Sequence, residues 1–277
     1  MIDLHAHSYY SDGTCSPAFL VEEGLRLGLD AVALCDHNTV AGLPEFLEAA
    51  AGKPIEAVPG VEFTTEYMET ELHILALLVK PQYYGQITRN MEAFMQRKEQ
   101  SNRALLQALR QVGLDLDYDT IKNATSGEIN RANIAAEMIR KGYADSVQDA
   151  FRQYLSVKRG FYKPPVRPDA LETVAWIRQM GAVAVLAHPF LNMNEAQLRQ
   201  FLPKAISQGL NAMETMYAKY AQATTDTATR LAKEFALLPS GGSDFHGENK
   251  PDIALGTGRG NLEIPTIFLE KLRRKKV

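Results

Sequence analysis

Short apolar runs that stop abruptly at a histidine or an aspartate recur along this chain. Ile2–His5 predicts a strand ending at the first histidine, and Ala31–Cys35 a buried strand running into Asp36-His37. Ser16-Pro17 reads as a helix start, with Ser as N-cap and Pro at the first helical position, and Gly28 as its stop. A second helix over Ala41–Ala51 precedes strands near Ile55–Val58, Val61–Thr65 and Glu71–Val79. After residue 165 the alternation resumes. Helices near Pro168–Met180, Glu195–Gln208 and Tyr220–Ala236 lead to strands Ala182–Ala187, Ala212–Thr215 and Leu238–Gly241. Strand followed by helix, repeated, predicts a mainly parallel sheet with helical crossovers.

Between Pro81 and Pro165 the period changes. Tyr84–Val112 is one long helical run, Ala132–Gly142 and Ser146–Val157 are shorter ones, and Y-K-P-P-V-R-P closes the segment as a proline-rich connector. The expected organisation is therefore an α/β barrel from 1–80 and 166–277, interrupted by a helical cap at 81–165.

Composition narrows the class. The 277 residues suit one barrel-sized domain with an insertion, and no apolar stretch reaches the roughly 20 residues of a membrane span. M-I-D-L-H enters a strand directly, so no signal peptide is expected, and two cysteines are too few for a disulfide framework; both features point to the cytoplasm. A net charge of −3 argues against a broad nucleic-acid surface and so against duplex binding. The tail K-L-R-R-K-K-V reads as a solvated, basic helix end.

The chemistry lies in the histidines. All six, His5, His7, His37, His73, His188 and His246, stand in short metal-ligand patterns beside or between Asp12, Asp36, Glu62 and Asp244. His5, His37, His188 and Asp244 each follow a strand, and in a β/α barrel such strand ends open on one face. His5-x-His7 and Asp244-x-His246 have period two, which brings both members of each pair to one side of a strand. Asp36-His37 puts a charged pair at the end of a buried strand, where it has to be compensated, as a metal does. Cys35 reads as a small buried residue pointing away from Asp36. Read alone, Asp12 fits an ordinary turn, Glu62 a surface position and His73 a satisfied core histidine.

Together these motifs resemble the polymerase and histidinol phosphatase (PHP) superfamily. The match comprises His5-x-His7, Asp36-His37, Ala187-His188-Pro189 and Asp244-x-His246, in order and over nearly the whole chain. The resemblance implies a distorted (β/α)₇ barrel with three divalent metal ions. It assigns His5, His7, Glu62 and Asp244 to one ion, with Glu62 bridging to a second held also by His73 and His188. Asp12, His37 and His246 fall to the third, and Asp36 stands behind the ligands. A set of His, Asp and Glu without cysteine suits Mn²⁺, with Fe²⁺ or Zn²⁺ as alternatives. Such ions lower the pKa of a bound water and clamp phosphoryl oxygens.

Within the superfamily the chain is similar to the RNase AM branch, whose members also act as 3′,5′-nucleoside bisphosphate phosphatases. P-G-V-E, E-x-H-I-L, the Arg97/Arg103 helix, I-N-R-A-N-I-A, D-A-F-R-Q-Y-L and G-F-Y-K-P-P carry that likeness. It implies a phosphoesterase acting on a small nucleotide or a short single-stranded oligonucleotide. Arg131, opening a cap helix, is a candidate phosphate clamp. Arg103, Lys158 and Lys163 are candidates for a second phosphate, and Tyr162 or Phe161 for stacking on a base. Histidinol-phosphate phosphatase, amidohydrolase and inactive scaffold are the alternatives. The cap motifs, the missing candidate for a carboxylated lysine and the full ligand set weigh against them in turn.

Overall fold

The computed structural model describes residues 1–125 and 129–274, so Lys275 and Lys276 of the expected basic tail lie outside the described residues. Two compact units emerge, one of Met1–Thr88 with Arg167–Val277 and one of Arg89–Val166.

The first unit is built on a seven-stranded sheet in chain order: β1 (Ile2–Ala6), β2 (Ala31–Leu34), β3 (Glu56–Tyr67), β4 (Thr70–Leu77), β5 (Val183–Leu186), β6 (Ala212–Tyr217) and β7 (Leu238–Gly242). Helices α1 (Pro17–Arg26) and α2 (Leu43–Ala50) link the first three strands in parallel. Ser16 caps α1 as expected, accepting from the Phe19 N–H. The last three strands are parallel to one another.

One expectation is overturned here. The runs at 55–58 and 61–65 form the single strand β3, which folds back on β4 as an antiparallel hairpin; β4 is antiparallel to β5 as well. Tyr67 pairs with Thr70, so the loop holds only Met68 and Glu69, and both have positive φ (47° and 63°). Positive φ at both central residues is the pattern of a type I′ turn, which Asn-Gly usually advertises. With no such signal, the hairpin was hidden.

The two ends of the sheet meet. The His7 N–H donates to the Phe245 carbonyl (2.9 Å), and the Asp244 N–H to the His5 carbonyl (2.8 Å). Gly242 permits this approach, because a Cβ there would collide with the Cβ of His5. Below the site, Leu4, Cys35, Val58, Leu75 and Val185 belong to one apolar core, completed by the C-terminal helix.

The second unit is helical, with the bulk of α3 (Tyr84–Arg110), then α4 (Tyr118–Asn123), α5 (Arg131–Arg140) and α6 (Val147–Ala150). Leu105, Leu109, Ile134, Met138 and Leu155 form its own core. The single helix expected over Ser146–Val157 breaks into α6, a π turn at Phe151–Leu155 and a 3₁₀ turn at Val157–Arg159. The long helix begins in the first unit, so the compact boundary falls at 88/89 rather than 80/81. Back in the first unit, α7 (Ala170–Gln179), α8 (Glu195–Gln208), α9 (Gln222–Glu234) and α10 (Ile267–Arg274) complete the chain. Among the described residues no helix is long and apolar enough to cross a membrane.

Candidate metal centre

Strand register places the candidate ligands side by side. The first and last strands bring His5 and His7 against Asp244 and His246. Asp36–Asn38 lies along β3, where His37 bridges to Glu62. The Ala187 N–H donates to the His73 carbonyl (3.0 Å), which sets His188 beside β4. Because β4 runs in reverse, His73 comes from near the start of its strand, whereas the parallel strands contribute from their ends.

Two register slips aim side chains inward. Between Asp3 and Ala6 strand β1 advances three residues while β2 advances two, from Val32 to Leu34. Between Glu214 and Met216, β6 advances two while β7 advances one. Bulges of this kind break strict alternation and are common beside active sites. They let Asp3 accept from the backbone N–H groups of Ser243 (2.9 Å) and Gly256 (2.8 Å), while His5 joins the cluster.

Glu62, wholly buried, is the hub. Its Oε2 lies 3.2 Å from His5 Nε2, His7 Nε2 and His37 Nδ1, and its Oε1 lies 2.9 Å from His73 Nδ1 and 3.0 Å from His188 Nε2. Asp12 Oδ1 sits 3.1 Å from His246 Nε2 and 3.8 Å from His7 and His37. Asp244 Oδ1 sits 3.3 Å from His7 Nε2 and 3.4 Å from His246 Nδ1. All nine expected ligands fall into four overlapping donor groups: His7–Asp12–His37–His246, His5–His7–Asp244, His5–Glu62–His188 and His37–Glu62–His73.

Glu62 Oε1 hydrogen-bonds His73 and His188, but the contacts at its other oxygen are close without being directed for hydrogen bonding. His7 Nδ1, His37 Nδ1 and Glu62 Oε2 are buried without a hydrogen-bond partner. The two Nε2 atoms of His5 and His7 face each other at 3.0 Å. Buried polar atoms are seldom left unpaired, and donor atoms that converge on common points fit cations. The electrostatics agree. Burial opposes a charge on His7 and His73, yet Asp244 and Glu62 push His7 up to about 9, and Glu62 and Glu71 push His73 up to about 10. Burial also opposes the charge on His5, but Glu62 and Glu214 hold it well above its usual value. At His37 burial prevails and lowers it to about 3. Burial would raise Asp12, Glu62 and Asp244, but neighbouring cationic groups (imidazoles, and Lys250 at Asp244) hold all three well below the usual carboxylate range. Anionic oxygens that favour protonated imidazoles will also favour a metal ion, which releases those protons.

Groups behind the ligands orient them. Glu214, wholly buried, takes His5 Nδ1 at 2.9 Å and accepts from the His188 N–H at 2.6 Å. With Nδ1–H given to Glu214, His5 presents Nε2 to the cluster. Tyr217 donates to Asp244 Oδ2 (2.8 Å) and Lys250 binds the same oxygen (2.6 Å), leaving Oδ1 toward the imidazoles. Glu71 Oε1 lies 3.3 Å from His73 Nε2, and Arg167 pairs with Glu71. Sequence reasoning missed Glu214, Tyr217 and Lys250. A glutamate inside the strand Ala212–Thr215 was the available signal for the first.

His188 (φ 27°) and Asp244 (φ 58°) both occupy positive φ, at a cost of about 1–3 kcal/mol each. Asp36 does not reach an imidazole. It accepts from the Ser8 N–H (2.8 Å), Ser8 Oγ (2.6 Å) and Ser11 Oγ (2.6 Å), pinning the turn between His7 and Asp12. Cys35 is buried, and burial pushes its thiol well up, which keeps it protonated.

The cap candidates divide. Arg131 caps no anion: its guanidinium lies 4.3 Å over the Tyr162 ring and 5.3 Å over Phe151, with one N–H donated to the Leu155 carbonyl (3.3 Å). Tyr162, a candidate for stacking on a base, is buried beneath it in the helical core, and Phe161 is half-buried against the same core. Arg103 pairs with Glu99 (2.9 Å) and Asp119 (3.6 Å) and stacks on Tyr118. Lys158 and Lys163 are exposed, with no ion pair among the described residues.

Comparison with known proteins places the chain in one family. The PHP domain family matches residues 3–162. A 5′-3′ exoribonuclease of Haemophilus influenzae is 31% identical over 245 residues, covering 88% of this chain and 89% of that protein. A 3′,5′-nucleoside bisphosphate phosphatase of Chromobacterium violaceum is 26% identical, covering 91% of this chain and 90% of its own. A solved structure from Bifidobacterium adolescentis, classed as a metal-dependent phosphoesterase, superposes with a TM-score of 0.85 at 26% identity, over 100% of this chain and 96% of that one.

Proposed function

The chain belongs to the PHP domain family, and from that premise we propose that it is a cytoplasmic, metal-dependent phosphoesterase. Its substrates are nucleoside 3′,5′-bisphosphates, from which it removes the 3′-phosphate, and short 5′-phosphorylated oligonucleotides, which it shortens from the 5′ end. The observation that carries the reading is Glu62, a buried carboxylate with five imidazoles within 3.2 Å of its two oxygens. The relatives' names supply the substrate class.

We infer three ions per chain, the number the family likeness implies, with manganese first and iron or zinc as alternatives because every donor is an imidazole nitrogen or a carboxylate oxygen. Bound ions would supply a nucleophile from water at neutral pH and neutralise the phosphoryl oxygens. The chain's own residues do the rest. His5, His7, Asp12, His37, Glu62, His73, His188, Asp244 and His246 would hold the ions, with Glu62 shared. Glu214 fixes the tautomer of His5 and the backbone of His188, Tyr217 and Lys250 restrict Asp244 to one oxygen, and Asp36 holds the turn that carries Asp12. Within the cap, Lys158 and Lys163 have no ion pair among the described residues, while Arg131, Arg103 and Tyr162 are engaged with cap neighbours.

Phosphate release from adenosine 3′,5′-bisphosphate, 5′-phosphorylated oligonucleotides and histidinol phosphate tests this, using protein stripped by a chelator and reloaded with Mn²⁺. Turnover of the first two, lost on stripping and restored by Mn²⁺, is expected. Turnover of histidinol phosphate alone overturns the substrate assignment, and a chain that binds no metal supports the scaffold alternative.

A further inference from the structure

Two residues beyond His188 begins the wall of a cleft of about 520 Å³, which lies between the segment after β5 and the turn after β6. Phe190, Asn192, Lys219, Tyr220 and Thr224 line it. That volume falls in the range of small-molecule sites. Its walls are tied together, for the Phe190 N–H donates to the Tyr220 hydroxyl at 2.9 Å. A run of aromatic contacts leads there from the ligands: His188 meets Tyr217 at 5.2 Å, Tyr217 meets Tyr220 at 5.1 Å, and Tyr220 meets Phe190 at 6.0 Å.

Lys219 is the charged group of this cleft, and the mechanism leaves it unused. Its turn is held on both sides by the Asn261 amide, which donates to the carbonyls of Ala218 (3.2 Å) and Tyr220 (3.4 Å). The backbone is thus pre-set, yet the ammonium has no ion pair among the described residues, unlike Lys250, which is committed to Asp244. Burial, together with Lys250, makes its charge harder to hold and lowers its pKa. An exposed ammonium without an ion pair among the described residues, on a cleft walled by Phe190 and Tyr220, suits an anion.

We propose that this cleft is the subsite for the second, non-scissile phosphate of the nucleotide, with Lys219 as the residue that binds it. The inference rests on the phosphoesterase reading and adds the residue that selects bisphosphates over monophosphates. Phosphate esters bring a double negative charge near neutral pH, and one ammonium–phosphate contact is worth a tenfold preference or more.

The test compares wild type, Lys219→Ala and Lys219→Arg, all loaded with Mn²⁺, on adenosine 3′,5′-bisphosphate and adenosine 3′-monophosphate. Wild type is expected to prefer the bisphosphate. Lys219→Ala should cut the ratio of kcat/KM values about tenfold, through KM, and Lys219→Arg should retain most of it. An unchanged ratio in Lys219→Ala, or a wild type without preference, overturns the proposal. Calorimetric titration with adenosine 5′-monophosphate and with adenosine separates this from the function itself. If wild type hydrolyses neither nucleotide, the phosphoesterase reading fails. The subsite still stands if the 5′-monophosphate binds about tenfold more weakly to Lys219→Ala while adenosine binds both alike, and falls if the two proteins bind the monophosphate equally.

Discussion

Replacing Glu214 by Gln should weaken metal binding without unfolding the protein. The carboxylate makes two contacts at once, His5 Nδ1 at 2.9 Å and the His188 N–H at 2.6 Å, both needing an acceptor. An amide has only one acceptor oxygen. If that oxygen keeps the His188 N–H, the NH₂ faces His5 Nδ1, and two donors meet unless the imidazole changes tautomer. Nε2 then carries the proton and no longer serves as a ligand. Loss of such a partner commonly costs 10–100-fold in metal affinity, or about 1.4–2.8 kcal/mol. The metal-free protein should respond differently. The charge removed also attracts protonated His5, but taking one carboxylate from beside Glu62 and Asp244 relieves repulsion that offsets part of both losses. Competition with a calibrated chelator, metals per chain by mass spectrometry and thermal melts of both forms are the assays. The melting temperature of the loaded form should fall while that of the stripped form stays within a few degrees. Wild-type affinity and stoichiometry in Glu214→Gln would refute the reasoning, since His5 would then need no partner to present Nε2.

Four further outcomes are expected. Gly242→Ala places a methyl against the His5 Cβ and backbone, so it should cost more than about 3 kcal/mol or prevent folding; a denaturant curve like wild type would contradict the close approach. Loading the stripped protein with Mn²⁺ at pH 8 should release roughly two or three protons per chain, because His7 (about 9), His73 (about 10) and His5 are then protonated; a pH-stat showing none would count against the raised values. The same groups give the stripped protein stability that is full below about pH 6.5 and fades as pH rises through 9 and 10, a loss the loaded protein should not show. Arg131→Ala should loosen the cap by about 1–2 kcal/mol through its lost stacking on Tyr162, seen as faster hydrogen exchange in α5; unchanged exchange would free Arg131 for another role.

Much of the site was legible because barrel strands deliver their terminal residues to one face. The histidines at 5, 37 and 188 and Asp244 could be grouped from an apolar run followed by a ligand, without knowing any distance. Glu62 and His73 could not, since β3 reads as two pieces and its turn at Met68-Glu69 lacks a glycine or asparagine. The likeness to a family supplied them instead, and the geometry now gathers them. Glu214 was hidden because alternation in β6 is broken by a slip in register, which no periodicity reports. The burial of Tyr162 depends on packing within the cap core, which its proline-rich neighbourhood in the sequence does not report. Local patterns specify which residues end a strand; long-range register decides which stand behind them.

The seam between the first and last strands has a consequence for synthesis of the protein. Asp3 and Ser243, 240 residues apart, are joined by a hydrogen bond there, and the chain on either side carries ligands. While a ribosome makes the chain, His5 and His7 emerge early, and Asp244 and His246 follow on the order of 10–50 s later at 5–20 residues per second. Until then the half-built centre lacks two of its donors. Metal affinity is therefore a property of the closed seam, which no segment of the chain can show before Asp244 and His246 have joined His5 and His7.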